Sequence, residues 1–405
     1  MKKPELLSPA GNLEKLITAI DFGADAVYIG GSKLNLRAFA DNFDNEELRK
    51  GIEYAHERNK KVYVTLNVFA HNEDLQGLED YLTELYEMKV DAIIVSDPGI
   101  IMTAREVVPE LEIHLSTQAN NVNYRSAIFW HKQGVKRIVL ARELSMEEIK
   151  DIRSKIPDSI ELEAFVHGAM CMAYSGRCLL SNYIVGRDSN RGQCAQPCRY
   201  KYYLQEEKRT DEKFEIREDE RGSYILNSKD LCMIEHIPEL FDAGIDSFKI
   251  EGRMKSVFYV ASVTKAYREA IDEYYKNPCQ YKYNEKWMDY LMKPSHRKYY
   301  TGFYFNDEDK QVYNSSAYEK SYDVIGVVKS FDKESMIATL EQKNKACVGD
   351  TLEVLRAQGN NEEIRLLEMR NERGQEIQSC AAAKMIFTVK VDKELSEKDI
   401  LIKAK

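Results

Sequence analysis

The sequence lacks the features that would place it in or across a membrane. No run of apolar residues is long enough to cross a bilayer, and the first residues read as folded chain rather than as the apolar region of a signal peptide. An excess of basic residues is also lacking, because 58 Lys and Arg stand against 67 Asp and Glu, giving a net charge of −9. We therefore expect a cytoplasmic protein without membrane contact, in which any binding of nucleic acid is confined to one face.

The short motifs of common hydrolases and nucleotide-binding proteins are missing as well. The sequence contains no H-E-x-x-H, no G-x-S-x-G and no glycine-rich phosphate loop. These absences leave the cysteines as the strongest chemical signal in the chain.

Short apolar segments alternate along the chain with amphipathic segments of helical periodicity. The apolar segments number eight: Glu5–Ser8, Ala26–Gly30, Lys61–Asn67, Ala92–Ser96, Glu112–Ser116, Arg137–Ala141, Glu161–Val166 and Ser247–Glu251. This alternation predicts parallel βαβ units, and the count favours an α/β fold with a closed (β/α)8 TIM-like barrel. An open doubly wound sheet is the alternative that a miscount of one or two strands would allow.

The spacing of these segments predicts the domain organisation. Residues 1–275 form the barrel, and its seventh and eighth strands are separated by an insertion of about 80 residues, 167–246, far longer than an ordinary connection. Residues 276–320, rich in Tyr, Asn and Lys, are expected to be a linker with little core. Residues 321–405 contain short alternating segments that predict a small antiparallel β-barrel as an accessory domain.

Polar residues collect where the predicted strands end, which in a barrel is the rim that carries active sites. Four of them are the predicted substrate-binding residues: Gln118, Arg142, Glu251 and Arg253. Arg253 in particular is a candidate for binding an anion, because a guanidinium pairs well with a carboxylate.

Two residues of the seventh predicted strand are candidates for catalysis. Glu163 alternates with apolar neighbours and is expected to point into the barrel, where a carboxylate needs a partner or serves chemistry. His167 follows at the end of the same strand and could transfer a proton. It could equally donate a hydrogen bond to a loop carbonyl.

Four of the eight cysteines fall in the insertion after the seventh strand, at Cys171, Cys178, Cys194 and Cys198. Clustered thiols in a reducing compartment indicate metal ligands rather than disulfides. An iron–sulfur cluster suits the loose spacing, since its ligands come from several loops. Structural zinc, a single nucleophilic cysteine paired with His167, and cysteines without a shared role remain alternatives. Cys232 is a spare candidate ligand.

Several motifs together resemble the collagenase-like peptidase family, peptidase family U32. They are the E-L-L-S-P-A-G run of residues 5–11, S-D-P-G of 96–99, S-T-Q-A-N of 116–120, and K-I-E-G-R of 249–253. The central signature, E-x-F-x-x-G-x-x-C-x6-C-x-L-S, runs from Glu163 to Ser181, and C-x3-C follows at Cys194 and Cys198. The resemblance covers nearly the whole chain.

The resemblance implies a cofactor and an activity. Family members share the pattern C-x6-C-x15-C-x3-C, which falls on the four cysteines named above and binds a [4Fe–4S] cluster in related proteins. A barrel followed by one small β-module most resembles the family members that hydroxylate the wobble uridine of tRNA at C5. Those members act without molecular oxygen and depend on prephenate. We therefore expect a tRNA uridine hydroxylase whose partners are tRNA, prephenate and in some cases a related-family subunit.

Three other functions remain open at this point. The family name implies a peptidase acting on collagen-like substrates, although the sequence offers no recognisable hydrolytic constellation. Other family members hydroxylate a cytidine of ribosomal RNA. The chain could also be a non-catalytic, cluster-bearing subunit of a larger modification complex.

Overall fold

A computed structural model describes residues 2–31, 33–34, 42–170, 178–187, 189, 193–199, 229–305, 320–380 and 384–405, and the backbone of residues 203–206 and 209–215. None of the helices in these ranges combines the length and the apolar composition that crossing a bilayer requires.

The first domain alternates strands and helices, and its elements are bounded as follows. In chain order they are β1 (Glu5–Pro9), α1 (Leu13–Asp21), β2 (Ala26–Gly30), α2 (Asn45–His56), β3 (Lys61–Leu66), α3 (Leu78–Glu87), β4 (Ala92–Val95), α4 (Pro98–Val107), β5 (Glu112–Leu115), α5 (Tyr124–Lys132), β6 (Arg137–Val139), α6 (Met146–Lys155), β7 (Glu161–Ala169), α7 (Leu180–Val185), β8 (Tyr203–Glu206), β9 (Arg209–Glu215), β10 (Asp230–Cys232), α8 (Ile237–Asp242), β11 (Ser247–Ile250), α9 (Val257–Lys276), α10 (Glu285–Met292) and β12 (Tyr299–Tyr300).

Eight parallel strands close into a barrel, as the sequence predicts. Strands β1 to β7 pair in chain order, and β11 pairs with both β7 and β1, which closes the ring. Each predicted strand matches an observed strand within three residues at either end. Outward-facing apolar side chains of the strands pack against the helices, and inward-facing side chains alternate with them.

Caps fix where several helices begin. The side chains of Asn12, Asp44 and Ser145 each accept a hydrogen bond from a backbone N–H three residues further on, at the starts of α1, α2 and α6. Each such cap follows the rim end of a strand, so the chain turns back into its helix at a defined residue.

Two short strands extend the sheet outside the ring, β10 from the excursion between β7 and β11 and β12 from the segment after α10. Strand β10 pairs antiparallel with the end of β7, and β12 pairs with β10.

The interval 276–320, expected to be a linker with little core, differs from that expectation. It contains α10, whose Trp287 and Leu291 are buried, and Tyr304 is buried as well. Trp287 and Leu291 are four residues apart and share one helix face, and together with Tyr304 they belong to the core of the first domain.

The second domain is a closed antiparallel barrel, again as predicted. Its strands pair in the order β13, β14, β19, β17, β16 and β20, and a separate pair is formed by β15 and β18. The strand bounds are β13 (Tyr322–Asp332), β14 (Ile337–Gln342), β15 (Ala346–Cys347), β16 (Thr351–Leu355), β17 (Glu362–Asn371), β18 (Ser379–Cys380), β19 (Ile386–Val391) and β20 (Ile400–Ala404).

The two domains meet through an apolar patch and one buried lysine. The patch joins residues of both domains: Phe22, Phe258 and Ala261 of the first with Leu355, Ile400 and Ile402 of the second. Beside it, Nζ of Lys265 on α9 donates to the carbonyl oxygens of Arg356 and Gly359 at 2.6 and 2.8 Å and to Oδ1 of Asn361 at 3.1 Å. One ammonium group thus satisfies three acceptors of the second domain.

Replacing this lysine should weaken the junction. In Lys265→Met the acceptors on Arg356, Gly359 and Asn361 lose their donor, and we expect a loss of about 1–3 kcal/mol in the free energy of unfolding by denaturant. The matched control is Lys286→Met, because Lys286 is half-exposed and forms an ion pair with Glu269 at the surface. A change of about 0.5 kcal/mol or less is expected there. Equal destabilisation of both variants would contradict the role given to Lys265.

Candidate functional site

A network of charged side chains fills the floor of the barrel. Arg137 of β6 donates to Glu5 of β1 at 2.5 Å, to Glu161 at 2.8 Å and to Glu163 at 3.2 Å. Nζ of Lys249 on β11 donates to the other oxygen of Glu163 at 2.7 Å. We call these five residues the floor network. Arg137, Glu163 and Lys249 are almost completely buried, so each charge depends on its partners.

The floor network holds Glu163 in its ionised form. Burial alone would raise the pKa of this carboxyl, but the charges of Lys249 and Arg137 outweigh burial and lower the pKa to about 2. A group with that pKa is a poor proton donor or acceptor at neutral pH. The geometry therefore favours Glu163 as a residue that positions Lys249 and Arg137, and its predicted catalytic role stays a prediction.

A second group of polar residues lies above the floor, at the C-terminal rim. Nη1 of Arg253 donates to Oγ1 of Thr65 at 2.8 Å. Nη1 of Arg142 donates to the carbonyl oxygen of Ala169 at 2.8 Å, and its guanidinium lies 3.9 Å from the centre of the Phe165 ring. The carboxylate of Glu251 is 3.9 Å from Nη2 of Arg142.

We call Thr65, Arg142, Phe165, Glu251 and Arg253 the rim cluster. Within it two guanidinium groups face one carboxylate, so these residues carry an excess of positive charge. The predicted substrate residues Arg142, Glu251 and Arg253 are therefore brought together at the barrel mouth, with an aromatic ring beside them. Such a set can bind a small anion that carries an apolar ring.

The position of Arg253 depends on a glycine in the neighbouring wall. A Cβ atom built on Gly30, the last residue of β2, would lie 2.7 Å from Nη1 of Arg253. Only glycine leaves room for the guanidinium to reach Thr65 across the mouth.

Gln118, the fourth predicted substrate residue, lies in the turn Thr117–Ala119 that follows β5. Its Oε1 and the Oδ1 of the neighbouring Asn121 are buried, and neither has a hydrogen-bond partner within the described ranges. Buried amide oxygens are usually hydrogen-bonded, so these two acceptors suit a bound group with N–H or O–H donors.

His167 lies apart from the barrel interior. Its ring is surrounded by Tyr259, Tyr267 and Tyr299, with centroids 5.2 to 5.9 Å away. The register between β7 and β11 shifts at this point, which turns His167 towards α9 rather than into the barrel with Glu163. Glu163 and His167 therefore do not form one catalytic pair.

The surroundings of His167 keep its imidazole neutral. Burial lowers its pKa, the charges of Lys255 and His296 lower it further, and the resulting value is about 3. Cys232 of β10 lies opposite His167 of β7 in the antiparallel strand pair. Burial, however, raises the pKa of the Cys232 thiol to about 12. A protonated thiol beside an uncharged imidazole is unsuited to nucleophilic catalysis. The proton-transfer role of His167 stays a prediction.

Three of the four clustered cysteines fall within the described ranges, and Cys171 lies outside them. Cys178, Cys194 and Cys198 are half-buried thiols on two chain segments that meet at α7. The backbone N–H of Ala195 donates to Oγ of Ser181 on α7 at 3.0 Å, which ties the segments together.

Within the described part of the chain, no three His, Cys, Asp or Glu side chains are gathered as a metal site. The donor chemistry nevertheless fits a soft metal centre, because three thiols are carried on segments already tied together. Cys171 is the predicted fourth donor.

Sequence reasoning missed Arg137 and Thr65. Arg137 is the first residue of a buried strand, and a charged residue at an inward-facing position was the available signal. Thr65 alternates with apolar residues on β3 and gives no comparable signal, because its importance comes from Arg253, which lies in the loop after β11 and is distant in sequence.

Comparison with known proteins assigns both domains. A family model described as "Peptidase family U32" matches residues 11–314, and one described as "Peptidase family U32 C-terminal domain" matches residues 320–401. The chain is 43% identical to "tRNA hydroxylation protein P1" of Bacillus subtilis, over 100% of this chain and 96% of that protein.

Two further relatives bear on function. "tRNA hydroxylation protein P" of Escherichia coli is 41% identical over 89% of this chain and 88% of that protein. A protein named "Collagenase" from Porphyromonas gingivalis is 33% identical over 86% of this chain and 85% of that protein.

The floor network predicts both a mutational and a pH effect. Glu163→Gln leaves Lys249 and Arg137 without their shared carboxylate and should lower the free energy of unfolding by about 3–5 kcal/mol. The folded pKa of about 2 lies below the ordinary value of 4.5, so the contribution of Glu163 is complete above pH 4.5 and is lost as the pH falls towards 2. Denaturant titrations should therefore show a steeper acid loss in the wild type than in the variant.

The matched control for this experiment is Glu46→Gln, because Glu46 forms an exposed ion pair with Lys50 on α2. Little change in stability is expected for it. If Glu163→Gln were as stable as this control at pH 7, the floor network would not support the barrel.

Proposed function

The chain belongs to peptidase family U32, and we propose that it hydroxylates tRNA. The observation that carries the proposal is the 43% identity to "tRNA hydroxylation protein P1" across the whole chain, including the second domain. We further propose that the modified position is C5 of the wobble uridine. A base must leave the anticodon stack to reach a barrel mouth, and single-stranded loops allow this at low cost.

The rim cluster would bind the co-substrate, which we propose is prephenate. Arg253, held by Thr65, and Arg142, held by the carbonyl oxygen of Ala169, are aimed before any ligand arrives. Their guanidinium groups suit the carboxylates of such a molecule, and the Phe165 ring suits its apolar ring. Preorganised donors of this kind bind without the cost of ordering two long side chains. Gln118 would then contact the nucleobase or the co-substrate through its buried amide.

Cys171, Cys178, Cys194 and Cys198 would hold a [4Fe–4S] cluster, which supplies one-electron chemistry when bound. The hydrogen bond from Ala195 to Ser181 and the packing of α7 on the segment after it support this assignment, because they keep two cysteine-bearing segments in contact. The insertion leaves from the C-terminal end of β7, which supports a position of the cluster on the rim side of the barrel.

A peptidase is the second candidate, favoured by the relative named "Collagenase". The pairing of Cys232 with His167 is the described arrangement closest to a hydrolytic pair, and burial of both groups disfavours it. Cleavage of a collagen-like peptide by the purified protein would support this candidate instead.

The cluster assignment predicts a metal content. Protein purified without oxygen should be coloured and contain about four irons and four sulfides per chain, measured by colorimetric assay and visible absorption. Cys178→Ala should lose most of both, because a thiolate ligand is removed. Cys279→Ala is the control, since Cys279 is exposed and outside the cysteine cluster. A colourless protein with one tightly bound zinc would contradict the assignment.

The activity predicts a nucleoside phenotype. Deletion of the gene should remove 5-hydroxyuridine and its derivatives from tRNA, measured by liquid chromatography and mass spectrometry of digested nucleosides. Wild-type protein should restore them, whereas Arg253→Ala should restore less than about a tenth, since removal of one buried charge-assisted contact costs about 1.5–3 kcal/mol.

Arg125→Ala is the control for this complementation, because Arg125 is an exposed residue of α5, and it should restore the nucleosides fully. Unchanged tRNA nucleosides with a loss of hydroxylated cytidine from ribosomal RNA would instead favour the ribosomal activity. If hydroxylated uridine were also lost when the gene of a second family member is deleted, this would favour the role of one subunit in a modification complex.

A further inference from the structure

A half-open cavity of about 660 Å³ lies at the junction of the two domains. Its walls are the C-terminal half of α9, the start of α10, the loops that lead into β1, β2 and β3, and residues 357–359 of the second domain. The loops that precede parallel strands lie at the N-terminal end of a barrel, so the cavity is on the opposite end from the rim cluster. Its size is typical of small-molecule sites, which measure about 300–1,000 Å³.

Basic side chains outnumber acidic ones in the lining of this cavity. Seven lysines and arginines stand against four aspartates and glutamates, a net of +3, whereas the whole chain has a net charge of −9. All of these side chains belong to the described ranges. A local excess of positive charge on an acidic protein attracts anions to that place.

Two carboxylates of the lining are each shared between two cations. Asp25 lies 3.1 Å from Nζ of Lys60 and 2.8 Å from Nη1 of Arg268. Asp272 lies 2.7 Å from Nζ of Lys3 and 2.5 Å from Nη2 of the same arginine. Three cations thus depend on two carboxylates.

The remaining basic residues of the lining are balanced no better. Glu269 is shared between Lys286, whose Nζ lies 2.9 Å away, and Lys265, whose Nζ lies 3.9 Å away. Lys276 and Lys282 form no ion pair within the part of the chain that the structure describes. The acidic side chains therefore neutralise only part of the positive charge.

Arg268 bridges two carboxylates and still has a donor to spare. Its side chain is mostly buried, and its Nε has no hydrogen-bond partner among the described residues. Gly23 makes room for the stem of this arginine, because a Cβ atom built on Gly23 would lie 2.5 Å from Cγ of Arg268. Buried donors are usually hydrogen-bonded, so this N–H suits an anionic oxygen.

We propose that this cavity binds a ligand that carries phosphate groups. Phosphate oxygens accept hydrogen bonds from several ammonium and guanidinium donors at once, and a ligand with more than one phosphate would balance the net charge of the lining. Such a ligand would contact α9 and residues 357–359 together, so its binding would stabilise the docked position of the second domain. The inference goes beyond the proposed function and does not rest on it.

The test is isothermal titration calorimetry of the holoprotein, purified without oxygen, with inorganic pyrophosphate as the probe. The wild type should bind pyrophosphate saturably. The cavity variant, which combines Lys276→Glu and Lys282→Glu, should bind it roughly tenfold more weakly or worse, because two charges are reversed beside a multiply charged anion. Both lysines are exposed, so the variant should fold normally.

The matched control combines Lys132→Glu and Lys150→Glu, which alter exposed lysines of α5 and α6 outside the lining. It changes the net charge by the same amount as the cavity variant and should bind pyrophosphate as the wild type does. Pyrophosphate should also raise the melting temperature of the wild type and of the control, and leave that of the cavity variant unchanged.

Anisotropy with a fluorescently labelled, unmodified tRNA transcript identifies the source of the phosphate. If the cavity variant binds tRNA more weakly than the control does, and pyrophosphate displaces tRNA from the wild type, the phosphates are those of the RNA backbone. Equal tRNA binding by both variants, with pyrophosphate affinity lost only in the cavity variant, identifies a small phosphorylated molecule. Absence of saturable pyrophosphate binding by the wild type, or an equal loss in both variants, would overturn the inference.

Discussion

The buried guanidinium of Arg137 is the contact on which the barrel interior depends. It joins carboxylates of β1 and β7, and Glu5 is also held by the hydroxyl of Tyr63 on β3 at 2.7 Å. Lys249 of β11 completes the network through Glu163. Charges from the four neighbouring strands β6, β7, β11 and β1 are thereby fixed to one another in the buried interior, where an unmatched charge would be costly. The floor network thus ties together the part of the ring where the barrel closes.

The floor network also helps to hold the residues of the rim cluster in place before a ligand binds. Four of the five rim residues lie on or directly after β6, β7 and β11, which the floor network joins. The fifth, Thr65, lies on β3, whose Tyr63 contacts Glu5 of the network, so the rim residues start from backbone positions that the floor holds. Arg253 crosses the mouth to Thr65 over Gly30, and Arg142 is held between Ala169 and the Phe165 ring. Holding charged side chains in place before a ligand binds is what a site for a small anion requires.

Much of this arrangement follows from sequence patterns, and the exceptions have physical causes. The strands, their number and the polar rim were predictable, because period-2 and period-3.6 patterns report burial directly. The orientation of His167 was not predictable, because the shifted register between β7 and β11 changes whether a side chain points into the barrel or towards the helices. The buried Trp287 of α10 was hidden within a polar stretch, because three or four apolar residues suffice for one short helix face. Contacts such as Arg253 to Thr65 join residues far apart in sequence and leave no local pattern.

The arrangement separates the tasks that the proposed reaction would require. The rim cluster is charged and its arginines are held by hydrogen bonds, which would suit a small acid, whereas the described cysteines lie apart from it on the segments around α7. The second domain is anchored to the barrel by Lys265 and an apolar patch. An RNA loop is far larger than the barrel mouth, and affinity for it must come from surfaces around the site. Because the chain as a whole is acidic, a surface that binds RNA would have to be a local one.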